Sequence, residues 1–159
     1  MDRPAGEETQ LRLTRRYPVA AEKVWRAWTD PQALSAWFGP GEPHSVLVAE
    51  LDVRAGGRYR IRFRTPDGEE HEVAGVYQEV EPGRRLVFSW AWHSTPERVS
   101  RISIALQSVP GGTELEFLQD RFFDQAARDN HERGWTASLV KLDRWLTSDS
   151  GRADSGRRD

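Results

Sequence analysis

The middle of the chain alternates apolar and polar residues with the period of two that a half-buried β-strand requires. In residues 58–64, for example, Tyr59, Ile61 and Phe63 point to one side and the intervening arginines point to the other. Turn sequences such as the Thr-Pro-Asp-Gly of residues 65–68 separate these runs, which predicts an antiparallel meander. The predicted strands are residues 10–17, 45–53, 58–64, 70–80, 86–92, 99–109 and 113–119.

Two short helices are predicted between the first and second strands. In residues 20–28, Val24, Trp25 and Trp28 fall on one face at three- and four-residue spacing. A second helix begins at Asp30-Pro31, because aspartate caps free amide groups and proline fits the first helical position. It is expected to end near residue 38, since the Gly-Pro-Gly of residues 39–41 does not continue a helix.

The last predicted element is a long amphipathic helix over residues 124–146, capped by Asp124. Its predicted apolar stripe consists of Phe123, Ala127, Trp135, Leu139, Leu142 and Leu146. A helix of this length spans about 35 Å, which is enough to cross the whole sheet. Glycine is unfavourable inside a helix, so we expect Gly134 to mark the closest approach of the helix to the sheet.

A single helix laid across an antiparallel sheet cannot fill a flat interface unless the sheet curls around the helix. That geometry tends to leave a cavity between the helix and the sheet. The sequence therefore predicts an α+β fold with a curved seven-stranded antiparallel sheet, two short helices after the first strand and a cavity under the long terminal helix. Residues 9–148 form the predicted single domain. The polar segments 1–8 and 149–159 are expected to be disordered tails, because they have too little apolar surface to offset their ordering entropy.

Composition narrows the function classes. The chain has 159 residues, a net charge of −2 and seven tryptophans, so an aromatic core is expected and a nucleic-acid partner is not. Cysteine is absent, which excludes disulfides and thiolate sites. No apolar run reaches the length of a membrane span and no signal sequence is recognisable. We therefore expect a cytoplasmic protein that does not bind membranes.

Several sequence strings resemble one family. They are residues 24–31 (Val-Trp-Arg-Ala-Trp-Thr-Asp-Pro) with Leu34, residues 37–40 (Trp-Phe-Gly-Pro), Gly56-Gly57, the segment 82–90, and residues 131–135 (His-Glu-Arg-Gly-Trp) with Leu139, Lys141 and Leu142. Together they are similar to signatures of the AHSA-type branch of the SRPBCC superfamily, which is named for activators of the heat-shock-protein-90 ATPase. The resemblance implies a START-like, Bet v-like helix-grip fold with a hydrophobic cavity. The chaperone activators carry a further N-terminal domain, which we do not expect here because the predicted core begins near Gln10.

Most of the aromatic residues are expected to pack in the core, and a subset is expected to line a ligand pocket. The predicted ligand-binding residues are Trp37, Phe38, Tyr59, Phe63, Tyr77, Phe88, Trp90, His131, Trp135 and Leu139. Trp37 and Phe38 lie next to the glycine-rich segment 39–41 and are predicted to gate the pocket. In residues 86–92 the pattern leaves open which face points inward, because both faces carry apolar residues.

The sequence favours binding of a small hydrophobic or amphipathic molecule over two alternatives. One alternative is a chaperone- or stress-associated interaction module, and the other is a small cyclase, dehydratase or hydrolase that uses the same cavity. No catalytic motif, metal-ligand spacing or cofactor loop is recognisable, so neither a metal nor a cofactor is expected. The arginines of residues 58–64 are expected to pair with glutamates of the next strand. A homodimer and a chaperone partner are left open.

Overall fold

The computed structural model describes residues 10–148. Its elements are β1 (Leu11–Tyr17), α1 (Ala21–Thr29), α2 (Pro31–Ser35), β2 (Val46–Leu51), β3 (Arg58–Arg64), β4 (Glu70–Glu81), β5 (Arg85–Trp92), β6 (Ser100–Val109), β7 (Gly112–Asp120) and α3 (Gln125–Thr147). The predicted α+β helix-grip architecture is confirmed. The tails expected at residues 1–8 and 149–159 lie outside the described residues.

All seven strands belong to one sheet, in the order β1-β7-β6-β5-β4-β3-β2. Every neighbouring pair is antiparallel. The first strand pairs with the last, with Leu13 opposite Phe117, so β1 and β2 form the two edges. The sheet curves around α3, whose Trp135 contacts the rings of Phe117 on β7 and Trp90 on β5 at centroid distances of 4.8 and 5.3 Å.

Two aspartates cap the N-termini of the helices that were predicted to begin at them. The Asp30 carboxylate accepts a hydrogen bond from the Ala33 amide at 3.0 Å, and the Asp124 carboxylate accepts one from the Ala127 amide at 2.9 Å. Each bond satisfies an amide that lacks a partner inside the first helical turn. The α2 helix ends at Ser35, earlier than residue 38. The chain then continues as a turn that carries Trp37 and Phe38 into the core.

The core lies between the concave face of the sheet and the three helices. Where no bulge interrupts a strand, alternation sends every second residue inward, as Tyr59, Ile61 and Phe63 of β3 illustrate. On β5 the structure resolves the open question of phase: Phe88 and Trp90 point toward the core. Within the described residues, no helix is both long enough and apolar enough to cross a membrane.

The arginines of β3 lie on the opposite face of the sheet and pair with acids, as expected. Arg60 and Arg62 contact the Glu72 carboxylate at 3.0 and 3.4 Å, and Arg64 contacts Glu70 at 3.1 Å. Cross-strand ion pairs of this kind contribute little to stability when they are exposed. The ion-paired residues make this face of the sheet polar, whereas the aromatic side chains of the same strands point into the core.

Candidate functional site: a cleft beneath the terminal helix

A cleft of about 1030 Å³ opens between the sheet and the N-terminal half of α3. Strands β3 to β5, the turn after α2 and the loop of residues 93–98 supply the remaining walls. The phenylalanine and tryptophan residues of the lining are Phe38, Phe63, Trp90, Trp92, Phe122, Phe123 and Trp135. The charged part comes from outward-facing positions of β3 and β4 and from Arg98. The apolar part of the lining therefore lies beneath the helix, and the charged residues of β3 and β4 border the cleft from the outer face of the sheet.

The sequence of α3 explains where the cleft lies. The helix presents to it a face with three- and four-residue spacing, formed by Ala127, Asn130, His131, Gly134, Trp135 and Ser138. Three of these residues, Ala127, Gly134 and Ser138, are small. In the following turns Leu142 and Leu146 occupy the sheet-facing positions and are completely buried. Small residues in the first half of the helix thus leave open the space that leucines fill in the second half.

Gly134 does not lie where the helix and the sheet are closest, and the expectation from the sequence was wrong. A Cβ atom built at this position meets nothing within 4 Å. The glycine faces the open cleft, so the absence of a side chain preserves cleft volume.

His131 organises the indole groups on the cleft wall. Its Nε2 accepts hydrogen bonds from Trp90 Nε1 at 3.1 Å and Trp92 Nε1 at 3.3 Å. Its Nδ1 lies 2.7 Å from the carbonyl oxygen of Ala127. This set of partners requires the tautomer with the proton on Nδ1, since Nε2 faces two donors. Burial lowers the pKa of His131, and the Ala127 carbonyl opposes that shift. The imidazole is therefore neutral at neutral pH.

A buried polar chain supports the floor of the cleft. Trp135 Nε1 donates to Gln119 Oε1 at 3.0 Å, Gln119 Nε2 donates to Ser100 Oγ at 2.9 Å, and Ser100 Oγ donates to the carbonyl of Trp90 at 3.3 Å. Gln119 is fully buried. Neither Gln119 nor Ser100 was predicted as a site residue from the sequence. A polar residue at an inward position of an otherwise apolar strand, as in β7 and β6, is the signal that would have found them.

The mouth of the cleft carries an exposed aromatic residue beneath a cation. Phe123 is 59% exposed, and the Arg98 guanidinium carbon lies 3.8 Å from its ring centroid. Phe123 was predicted from the sequence to lie on the buried stripe of the terminal helix, and this prediction was wrong. Phe123 precedes the Asp124 cap, so it lies outside the helical periodicity.

The glycine-rich segment 39–41 is held against the terminal helix. The Lys141 ammonium group donates to the carbonyl oxygens of Gly39 and Gly41. Gly39 adopts a φ of 102°, which favours glycine, and it lines the cleft together with Pro40. Burial lowers the pKa of Lys141, and the nearby Glu42 carboxylate opposes that shift. One side chain of α3 therefore secures the segment that adjoins the predicted gate residues Trp37 and Phe38.

A family model described as "Activator of Hsp90 ATPase homolog 1-like protein" matches residues 18–147. The chain belongs to this family. The resemblance seen in the signature strings is thereby confirmed, and the helix-grip fold is consistent with a ligand-binding domain.

Solved structures of three bacterial proteins share the fold. Protein CV1439 from Chromobacterium violaceum is 28% identical, with a TM-score of 0.78 over 89% of this chain and 99% of that chain. The AHSA1 protein SPO3351 from Silicibacter pomeroyi is 29% identical, with a TM-score of 0.76 over 86% and 96%. Protein NE0264 from Nitrosomonas europaea is 26% identical, with a TM-score of 0.74 over 87% and 94%. A comparison with curated proteins finds no match.

In this member of the family, the residues predicted to bind ligand fall into two groups. Five line the cleft: Phe38, Phe63, Trp90, His131 and Trp135. The other five, Trp37, Tyr59, Tyr77, Phe88 and Leu139, are buried outside its lining. Sequence periodicity identifies inward-facing positions, but it does not distinguish a cavity wall from packed interior. Ligand contact by either group stays a prediction.

The five residues outside the lining belong to the hydrophobic core. Trp37 is fully buried and donates from Nε1 to the carbonyl of Ala27 at 3.1 Å. Tyr59, Tyr77 and Phe88 form a ring cluster with centroid distances of 5.4 to 5.9 Å. Three large rings fill the interior at that end of the concave face, which accounts for the confinement of the cleft to the other end.

Metal binding has no support among residues 10–148. No group of three His, Asp or Glu side chains in this part of the chain is placed to hold a metal ion. His71, His93 and His131 all line the cleft, but the ring nitrogens of His131 are engaged by Trp90, Trp92 and Ala127.

Proposed function

We propose that this protein binds a small hydrophobic or amphipathic molecule in the cleft between α3 and the sheet. The observation that carries the proposal is the cleft of about 1030 Å³ beneath the first half of α3, where indole and phenyl rings form the apolar walls. Ligand pockets are typically apolar and hold roughly 300–1000 Å³. Membership of a family with a helix-grip fold supports the same function. A cytoplasmic location is part of the proposal.

Burial of apolar surface supplies the affinity in this proposal. Removing about 200 Å² of ligand surface from water is worth roughly 5 kcal/mol at about 25 cal/mol/Å², from which the cost of immobilising the ligand is subtracted. The indole rings of Trp90, Trp92 and Trp135 provide flat apolar walls. Their N–H groups are already paired with His131 and Gln119, so ligand entry leaves no indole donor unsatisfied.

Filling the cleft from Gly134 tests this function. Leucine at Gly134 projects into open space and improves helix propensity by somewhat less than about 1 kcal/mol, so the variant Gly134→Leu is expected to fold normally. Equilibrium dialysis with naphthalene should show binding to the wild type and at least tenfold weaker binding to the variant. Native mass spectrometry of freshly purified wild type should show a retained small molecule that the variant lacks.

Val140→Leu is the matched control, because it enlarges an exposed position on the same helix. It should bind naphthalene like the wild type. Equal binding by all three proteins would mean that the cleft is not the binding site.

An enzymatic role is the second candidate, and one observation bears on it. A half-buried histidine of lowered pKa next to indole donors is the arrangement expected for such a site, and His131 provides it. Both of its nitrogens are engaged, however, so proton transfer to or from a substrate would first require rupture of the Trp90 and Trp92 hydrogen bonds. Binding without chemistry is therefore the simpler function. A homodimer or a chaperone contact stays a prediction.

A further inference from the structure

Ser138 is a buried polar residue on the cleft wall whose hydroxyl has no protein partner. It is 3% exposed and lines the cleft. None of the hydrogen bonds found among residues 10–148 involves its side chain. The hydroxyl oxygen is not one of the sealed polar atoms of this part of the chain, so it is accessible from the cleft. Serine is not a strong helix former. Alanine would suit this helical position better, unless the hydroxyl serves a ligand.

The other buried polar groups of the cleft already have partners. Trp90 Nε1 donates to His131, Trp135 Nε1 donates to Gln119, and Ser100 Oγ donates to the Trp90 carbonyl. Among the buried side chains in the described lining, Ser138 is thus the one whose hydrogen-bonding capacity is unused. It lies one helical turn from Gly134 and Trp135, next to the open volume that the glycine leaves.

The charge distribution limits which ligand group Ser138 can meet. The charged residues of the lining are Arg60, Arg62, Glu70, Glu72 and Arg98. They occupy outward positions of β3 and β4 or the loop of residues 93–98, whereas Ser138 is buried on the helix. A carboxylate placed at Ser138 would be desolvated without a cation, which is unfavourable. A neutral oxygen has no such cost.

We propose that Ser138 anchors the ligand through one neutral oxygen atom, a hydroxyl or a carbonyl, on an otherwise apolar, flat molecule. The hydroxyl of Ser138 donates to a ligand carbonyl or hydroxyl and accepts from a ligand hydroxyl. The inference rests on the proposed binding function and adds the chemical class of the ligand and the residue that orients it.

Three probes of similar shape test the inference by equilibrium dialysis at neutral pH: naphthalene, 2-naphthol and 2-naphthoate. The net value of one hydrogen bond corresponds to about a two- to tenfold change in affinity. Replacement of Ser138 by alanine should weaken 2-naphthol binding by that factor and leave naphthalene binding unchanged. The wild type should bind 2-naphthoate more weakly than 2-naphthol. Thr136→Val is the matched control, because it removes a hydroxyl from an exposed position of the same helix that does not line the cleft.

The outcomes separate the inference from the function on which it rests. If the wild type binds naphthalene but Ser138→Ala retains full affinity for 2-naphthol, the anchor is refuted and the cleft function stands. Tighter binding of 2-naphthoate that depends on Ser138 refutes the neutral-oxygen class. If no probe binds the wild type, the cleft function fails and the anchor fails with it. A loss of 2-naphthol affinity in Thr136→Val equal to that in Ser138→Ala also refutes a specific anchor.

Discussion

At the scale of single residues, the cleft depends on positions where a side chain is small or a polar group is already paired. Gly134 leaves space that any larger residue would occupy. His131 accepts both indole N–H groups of Trp90 and Trp92, so the tryptophans present apolar faces to the cleft. Leucine at Gly134 and alanine at Ser138 test two of these roles. A third test concerns the protonation of His131.

The lowered pKa of His131 makes stability depend on pH. The unfolded chain takes up a proton near the ordinary histidine pKa of about 6.5, whereas the folded protein resists protonation until a lower pH, because burial disfavours the charged imidazole. Stability from this residue is therefore complete above about pH 6.5 and is lost as the pH falls from there through the folded pKa. Urea denaturation between pH 8 and pH 5 should show this loss in the wild type, and His131→Gln should reduce the dependence on pH.

His93→Gln serves as the control for this measurement, since His93 is exposed. It should keep the wild-type profile. An unchanged profile in His131→Gln would show that the linkage does not come from His131.

At the scale of elements, α3 has two functions in one helix. Its first half carries small residues and lines the cleft, and its second half carries Leu142 and Leu146 into the core. Between these halves and on another side of the helix, Lys141 holds the segment 39–41 through two backbone carbonyls. The helix thus forms a wall of the cleft and also positions one of its borders.

Removal of the Lys141 ammonium group should loosen that border. The variant Lys141→Met keeps most of the aliphatic chain but leaves the carbonyls of Gly39 and Gly41 without this donor. Hydrogen exchange measured by mass spectrometry should be at least several-fold faster in peptides that cover residues 37–43, and naphthalene should dissociate faster. Arg144→Met is the control, because Arg144 is exposed on the last turns of the same helix. Equal exchange rates in the two variants would exclude Lys141 as the tether.

At the scale of the whole molecule, stability and the cleft occupy different parts of the same interface. The interior beneath the second half of α3 is filled, with Leu142 and Leu146 fully buried, while the interior beneath the first half is open. Closely packed interiors lose stability steeply when a side chain is truncated. Truncation of a side chain on the wall of an open cleft costs less stability, because fewer closely packed neighbours lose contacts.

Leu142→Ala should therefore cost about 2–5 kcal/mol of unfolding free energy, as measured by urea denaturation. Ser138→Ala, one turn earlier on the cleft wall, is the comparison and should change stability by less than about 1 kcal/mol, because alanine favours the helix and leaves no hydroxyl to be satisfied. A loss below about 1 kcal/mol for Leu142→Ala would mean that the second half of α3 is not part of a packed core.

The elements of this fold follow from local rules that operate within a few residues. The alternation in Tyr59, Ile61 and Phe63 predicts β3 to the residue. The caps Asp30 and Asp124 place the starts of α2 and α3. Periodicity and capping depend on neighbours in the chain, which the amino-acid sequence displays directly. The family resemblance adds the order in which the elements pack.

The position of the cleft follows from contacts between residues that are far apart in the chain. The sequence predicted that Tyr59, Tyr77 and Phe88 line the pocket, but their rings pack against one another in the interior. The sequence predicted that Gly134 marks a close contact between helix and sheet, but this glycine faces open space. The sequence by itself determined most of the inward-facing positions, whereas the inward face of β5 and the exposure of Phe123 required the structure. Only the tertiary structure decided where those side chains meet and where they leave a space, because packing depends on the summed volumes of side chains brought together from different elements.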